Sequence, residues 1–197
     1  MSNIQLILAS ASPRRREILE TLGVPFTVVT AETDETCELT DPGARVEAIS
    51  ARKCLAVQEF LSREGRIETN TLILASDTLV TLDGIFLGKP RDEEDACRMV
   101  GMLAGRGHTV ASGIALWYKG QVVTAHALTT VHFAPMNQEE IDRYVKTGEP
   151  MGKAGAYAIQ GQAARYITGI EGDYFNVVGL PVRCLYTTMK EAFDITL

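Results

Sequence analysis

TLILASDTLVTLDGIFLGKP, residues 71–90, carries two kinds of strand signal back to back. TLILAS (71–76) is a continuous apolar run of the length of a buried strand, arriving after a long helical pattern. LVTL (79–82), the dipeptide Asp83-Gly84 and IFL (85–87) then spell a hairpin, because Asp-Gly accepts the left-handed pair of a two-residue turn. Upstream, strands and helices alternate. Leu6 to Ala9 reads as a strand and Arg14 to Leu22 as a short helix, with Pro13 near its start and Gly23 past its end. Val24 to Thr30 reads as a second strand, and Asp41-Pro42 opens a helix to about Glu64 with Val46, Ile49, Val57, Phe60 and Leu61 as its core stripe.

Downstream, a helix from Asp92 to Leu103 precedes two long strands about Lys119-Gly120. A helix then starts at Asn137, with Glu140 in the capping-box position and Gly148 after its end. EPMGKAGAYAIQGQ (149–162) reads as loop, Glu171 to Asp173 as the turn of another hairpin, and the chain after Pro181 as a last helix. Early alternation with late hairpins predicts an α/β fold with a mixed twisted sheet and flanking helices. Composition marks no domain boundary, so a single domain over residues 1–197 is expected, and a two-lobed form about a cleft stays open.

Hydrophobic residues make up 46% of the chain and charged ones 22%, a globular balance without the polar bias of disorder. The N-terminus lacks the basic-then-apolar order of a secretory signal, which predicts a cytoplasmic protein. Residues 120–138 lack Asp, Glu, Lys and Arg, but Gln121, Thr124, His126 and His132 interrupt them, so they read as a strand and no membrane span is expected. Cys37, Cys54, Cys97 and Cys184 form no CxxC pair and read as reduced thiols. A formal net charge of −6 argues against nucleic-acid binding. A small polyanion is another matter, since exposed charges are screened beyond roughly 8 Å and a local cluster then outweighs the sum.

That cluster is ASASPRRRE, residues 9–17. Ser10, Ser12 and the N–H groups of a helix start form an anion site, and arginine adds a bidentate grip on phosphate. The alternative is a solvated first turn, but arginines at the positive end of a helix dipole are misplaced unless an anion relieves them. Lys53 falls four residues after Ile49 and four before Val57, within the apolar stripe of its own helix; snorkelling at the stripe's edge and a functional role both fit. Asp77 follows TLILAS directly, so its carboxylate is expected at a strand end, where α/β sheets place ligands. Glu32, Asp34 and Glu35 supply a second acidic group, and Mg²⁺ asks for only one or two protein carboxylates. Taken singly, each acid is more commonly a cap or surface charge. Lys89, between Gly88 and Pro90, is a rigidly presented second cation, and the Gln160 amide could pair with a nucleobase edge. No phosphate-loop, HExxH or GxSxG motif occurs, and the histidines at 108, 126 and 132 read as structural.

ASASPRR, SDT after a strand, LGKPRD after a hairpin, and GKAGAYAIQG followed by GDYFNVVGLP resemble, in order and nearly end to end, the Maf family of nucleotide pyrophosphatases. The resemblance implies an elongated mixed α/β fold with a central cleft, similar to inosine-triphosphate pyrophosphatases. It implies a hydrolase acting on acid anhydrides that cleaves nucleoside triphosphates to monophosphate and pyrophosphate with a divalent cation, Mg²⁺ or Mn²⁺. Carried over by position, Ser10, Arg14 and Arg15 look like the triphosphate cradle, and Asp77 like the general base or metal-linked carboxylate. Glu35 is similar in place to the loop acid, and Lys53 and Lys89 to two phosphate lysines. The AYAIQG form resembles the dTTP/UTP branch, in which the matches to Arg15, Thr78 and Gln160 bear on substrate choice. Thr78 is the expected pin for the Gln160 amide. Arg16 is expected to be a plain surface residue.

Two departures stand out: Gly152 where many relatives have an acid, and Ala158 where a glycine is common. Both bear on how the base-selecting loop closes. Rival readings are a non-catalytic nucleotide-binding regulator of cell division, a phosphotransferase, and a pyrophosphatase preferring CTP or methylated GTP. The expected partners are nucleoside triphosphates alone, with a homodimer left open.

Overall fold

The structure, a computed structural model, describes residues 4–196. It is an α/β fold in which seven strands form a mixed sheet ordered β2-β1-β3-β5-β6-β7, with β4 paired on β3. The strands are β1 (Gln5–Leu8), β2 (Phe26–Val28), β3 (Thr71–Leu82), β4 (Ile85–Leu87), β5 (Gly107–Tyr118), β6 (Gln121–Phe133) and β7 (Ile167–Glu171). The helices are α1 (Pro13–Thr21), α2 (Pro42–Arg63), α3 (Glu93–Leu103), α4 (Gln138–Val145), α5 (Tyr174–Val178) and α6 (Val182–Phe193). Strand β1 runs parallel to both β2 and β3, while β3–β4 and β6–β7 are antiparallel. No helix among the described residues is long and apolar enough to cross a membrane, and the four cysteines are free thiols.

Local chemistry accounts for the element ends. Asp41 accepts the Ala44 N–H at 2.7 Å and starts α2, with Pro42 in the first turn where its missing N–H costs nothing. Asn137 and Glu140 complete a reciprocal capping box on α4. Asp83-Gly84 and Lys119-Gly120 all have positive φ, the geometry of two-residue hairpin turns whose twist matches the strands.

The chain forms two compact units, one of residues 1–77, 112–127 and 179–197, the other of residues 78–111 and 128–178. In the first, Ile7, Ala9, Val29, Cys54, Val57, Leu61, Ile73, Ala75 and Ala115 bury the inner face of α2 against β1 and β3. In the second, Val80, Leu82, Met99, Val100, Leu103, Val131, Phe133, Tyr144 and Tyr157 form a larger core beneath α3 and α4.

Two expectations need correction. Strand β3 does not stop at Ser76 but runs unbroken through Asp77 and Thr78 to Leu82, so Asp77 lies mid-strand. The alternating apolar pattern of LVTL simply extends the ladder begun by TLILAS. Residues 171–173 do not turn a hairpin either: β7 ends at Glu171 and α5 begins at Tyr174. Asp173 accepts the Phe175 N–H at 2.8 Å, while its own N–H is taken by Thr129 Oγ1 at 3.0 Å. The acid thus caps a helix.

Candidate active site

The sequence ASASPRR folds as β1, a short turn and α1. Ser12 is the N-cap residue of α1, and its side chain makes no capping bond. Ser10 is buried, and its Oγ accepts Arg15 Nη1 at 3.0 Å and the Ser12 N–H at 3.3 Å. Arg15 is itself only 9% exposed and donates from Nε to the Gly179 carbonyl at 2.8 Å. Two faces of its guanidinium fork are therefore held by protein oxygens. Burial makes the Arg15 proton easier to lose than usual, while the charges of Asp77 and Glu35 oppose that effect. Arg14 is half-buried and Arg16 exposed.

Helix α2 presents Lys53 from within its apolar stripe. The side chain is 18% exposed, and its ammonium bonds Asp77 Oδ1 at 2.7 Å and Glu35 Oε1 at 3.0 Å. One lysine thus bridges the strand acid and the loop acid that the sequence singled out separately. Glu35 stays in place because its loop is strapped to α2: Arg52 donates to the Asp34 and Thr36 carbonyls, and Arg45 to those of Cys37 and Leu39. Asp34 closes the turn by accepting both the N–H and hydroxyl of Thr36 at 2.8 Å. Those bonds, the backbone one foremost, hold the Asp34 carboxyl below the ordinary aspartate range. Glu32 and Asp34 therefore do not join the Lys53 cluster; Asp34 serves the turn and Glu32 is exposed.

The seat of α2 is set from below. A Cβ at Gly113 of β5 would meet the Val46 carbonyl atoms at 2.6 Å, so strand and helix approach at glycine distance, and Ser50 Oγ donates to the Gly113 carbonyl at 3.1 Å. Glu47 receives the Thr124 hydroxyl at 2.6 Å and a His126 ring nitrogen. These contacts fix the rotation of α2 that turns Lys53 toward Asp77. Sequence reading missed them, as it missed Ser76, whose hydroxyl shares the Gly179 carbonyl with Arg15 at 3.1 Å. The only sequence signal for Gly179 is its place in GLP, after an apolar run.

The family model described as Maf-like protein matches residues 5–192. The chain belongs to the Maf-like protein family. A protein of Symbiobacterium thermophilum named dTTP/UTP pyrophosphatase is 49% identical over 179 residues, covering 90% of this chain and 89% of that protein. One of the same name from Moorella thermoacetica is 48% identical, covering 90% of each chain. Another, from the more distant Thermococcus kodakarensis, is 38% identical over 96% of this chain and 98% of its own. In the first unit Arg15 is bonded to Ser10, Lys53 is bonded to both Asp77 and Glu35, and the charges of those two acids act on Arg15.

In the second unit Lys89 and Gln160 are both exposed, and Thr78 is half-buried on β3. Adjacent residues of an unbroken strand face opposite sides, so β3 does not direct the Thr78 hydroxyl the way it directs Asp77. The segment carrying Lys89 is anchored by a residue the sequence reading passed over. Asp95 is buried and accepts from the Arg91 N–H and Nε, both at 3.2 Å, and from Arg98 at 2.7 and 3.0 Å. Hydrogen bonds from Arg98 and Arg91 hold its carboxyl down at about 2.

Among the described residues no group of three His, Cys, Asp or Glu side chains could hold a metal. The two carboxylates on Lys53 fit a hard divalent cation by donor chemistry, since Mg²⁺ needs only one or two of them when water and phosphate complete its shell. The ammonium already between them shows that this position favours positive charge.

Proposed function

We propose that this chain hydrolyses dTTP and UTP to the nucleoside monophosphate and pyrophosphate. The observation that carries the reading is the Lys53 ammonium held between Asp77 and Glu35 beside the buried Arg15–Ser10 pair. Such a pairing of a water-activating acid with several cations suits phosphoanhydride hydrolysis, where positioning and charge stabilisation do most of the catalysis. The names borne by the relatives support the same substrates.

Water attacks the α-phosphorus and the bond from that phosphorus to the oxygen bridging to the β-phosphate breaks. Asp77 takes the water's proton. Its ion pair with Lys53 uses Oδ1, which fixes the carboxylate and leaves Oδ2 for the water. Lys53, Arg14 and Arg15 stabilise the charge gathering on the pyrophosphate leaving group, and the Maf resemblance gives Lys89 the same role. Ser10 and the N-terminal turn of α1 seat a phosphate oxygen. Glu35 and Asp77 would hold a divalent cation, Mg²⁺ or Mn²⁺, which when bound supplies charge neutralisation on the phosphates. Gln160 reads the base: its carbonyl accepts the imide N–H of uracil or thymine while its amide donates to a neighbouring carbonyl. A cytosolic enzyme would meet these substrates directly.

Pyrophosphate release from UTP with Mg²⁺ or Mn²⁺ tests the activity, and binding without release would return the chain to a regulatory role. Kinetics on five nucleotides test the base assignment. We expect kcat/KM to rank dTTP and UTP above CTP, with ATP and GTP lower, and Gln160→Ala to collapse that order. A wild-type purine preference would defeat it.

A further inference from the structure

Gly161 follows the base-reading Gln160, and its backbone does not require glycine, since φ is −110°. A side chain is excluded for another reason. A Cβ there would fall 2.2 Å from Oε2, 2.4 Å from Cδ and 2.6 Å from Oε1 of Glu149. The carboxylate is not free to step aside. Oε2 accepts the Gln162 N–H at 2.7 Å, and Oε1 accepts the Ala163 N–H at 3.2 Å and the Tyr144 hydroxyl at 2.9 Å. Lys153 Nζ bonds the Glu149 carbonyl at 2.5 Å. Gln162 and Ala163 open the 3₁₀ turn Gln162–Tyr166, whose own cap position, Gly161, has no side chain to offer. Glu149 therefore caps that turn from 13 residues away. Burial raises its carboxyl pKa, but the bonds from Gln162, Tyr144 and Ala163 and the charge of Lys153 outweigh burial and hold it below the ordinary value, so it stays charged at neutral pH.

We infer that Glu149 is the positioning residue for Gln160, setting base selectivity without touching substrate; this rests on the reading of Gln160 as the base reader. The Gln160 side chain is exposed, so little besides its backbone can aim it. Distinguishing uracil from cytosine depends on which way the amide points, because a flipped amide presents the reversed donor and acceptor pattern. The fixed backbone at 161–163 supplies that aim. The negative charge comes from Glu149, while Gly152 occupies its turn with φ +75° and brings none.

The test compares kcat/KM for UTP, dTTP, CTP and GTP, with inhibition by inorganic tripolyphosphate, in wild type, Glu149→Gln, Glu149→Ala, Gly161→Ala and the Glu149→Ala/Gly161→Ala double variant. Expected is a fall of about tenfold in the UTP-to-CTP ratio for Glu149→Ala and Gly161→Ala, equivalent to one lost charge-assisted bond. Glu149→Gln should fall less, because its amide oxygen still accepts. Tripolyphosphate inhibition should stay within about twofold of wild type, and the double variant should be no worse than either single one, since the clash needs the carboxylate. Amide exchange at Gln162 and Ala163 should quicken in folded Glu149→Gln while other protected amides hold. A wild type that prefers UTP paired with an unchanged ratio in the variants overturns the inference and leaves the base reading standing. A wild type indifferent to the base removes both. Equal losses on every nucleotide and on tripolyphosphate, additive single variants, or unchanged exchange would each reduce Glu149 to a fold-supporting residue and overturn the proposal.

Discussion

Lys53 shows how far a single residue can be read. A lysine inside an apolar helical stripe is out of place, and the structure gives the reason: its ammonium meets two carboxylates, one on β3 and one on a loop. Asp77→Asn keeps the shape of that contact but removes the proton acceptor, so turnover should be lost while UTP binding, followed by calorimetry, stays within a few-fold. Undiminished turnover in the purified variant would remove Asp77 from the chemistry. Arg15 was legible only in part. Its sequence position announced an anion-binding arginine, but its burial comes from the Gly179 carbonyl, 164 residues further along the chain, which no local pattern encodes. Arg15→Lys should therefore fail to rescue Arg15→Ala, because a single ammonium nitrogen cannot replace both Nε and Nη1, which reach Gly179 and Ser10 from separate positions of the planar fork. Each variant should lose about 2 kcal/mol or more of folding stability as well as phosphate affinity, and denaturant midpoints will separate the two losses. Arg16→Ala, at an exposed position, is the control that should change neither.

At the scale of elements, caps and turns were the legible part. Asp41-Pro42, the Asn137/Glu140 box and the two positive-φ hairpin turns act locally, within a few residues of the signal that marks them. Where β3 ends was not legible, because Asp77 and Thr78 interrupt the apolar run without ending the ladder. GDYFN was misread for a related reason: a glycine and an acid suit a turn, but here the acid caps α5. The α2–β5 contact was equally hidden, since Gly113 looks like any strand glycine until the helix backbone is found against it. Gly113→Ala should force α2 off β5, costing about 1–3 kcal/mol of stability as overpacking does. Because α2 carries Lys53, turnover should fall beyond what the lost folded fraction explains. Activity per folded molecule, with the folded fraction measured independently, decides it; a loss confined to the folded fraction would detach the α2 seat from the site.

For the whole molecule the governing variable is pH, and two buried groups of the second unit set the response. His108 is 3% exposed, its Nε2 lies 2.9 Å from the Tyr157 hydroxyl, and its ring packs between Phe133 and Tyr157. Burial, reinforced by the nearby charge of His132, pushes its pKa down to about 4. The unfolded chain therefore binds this proton more readily than the folded one, and the stabilising effect is complete above about pH 6.5 and drains away as pH falls toward about 4. The shift corresponds to about 3 kcal/mol at its acid limit. Asp95 acts lower down. With its carboxyl held at about 2 by Arg98 and Arg91, its contribution is whole above about pH 4 and is lost between there and about 2. Urea midpoints from pH 8 to pH 3 should thus be level near neutrality, decline below about 6.5, and decline again below about 4. His108→Gln retains a hydrogen-bonding partner for Tyr157 but cannot titrate, so it should remove the first decline and spare the second, while Asp95→Asn should blunt the second and spare the first. A first decline that survives in His108→Gln would assign the near-neutral sensitivity to groups other than His108.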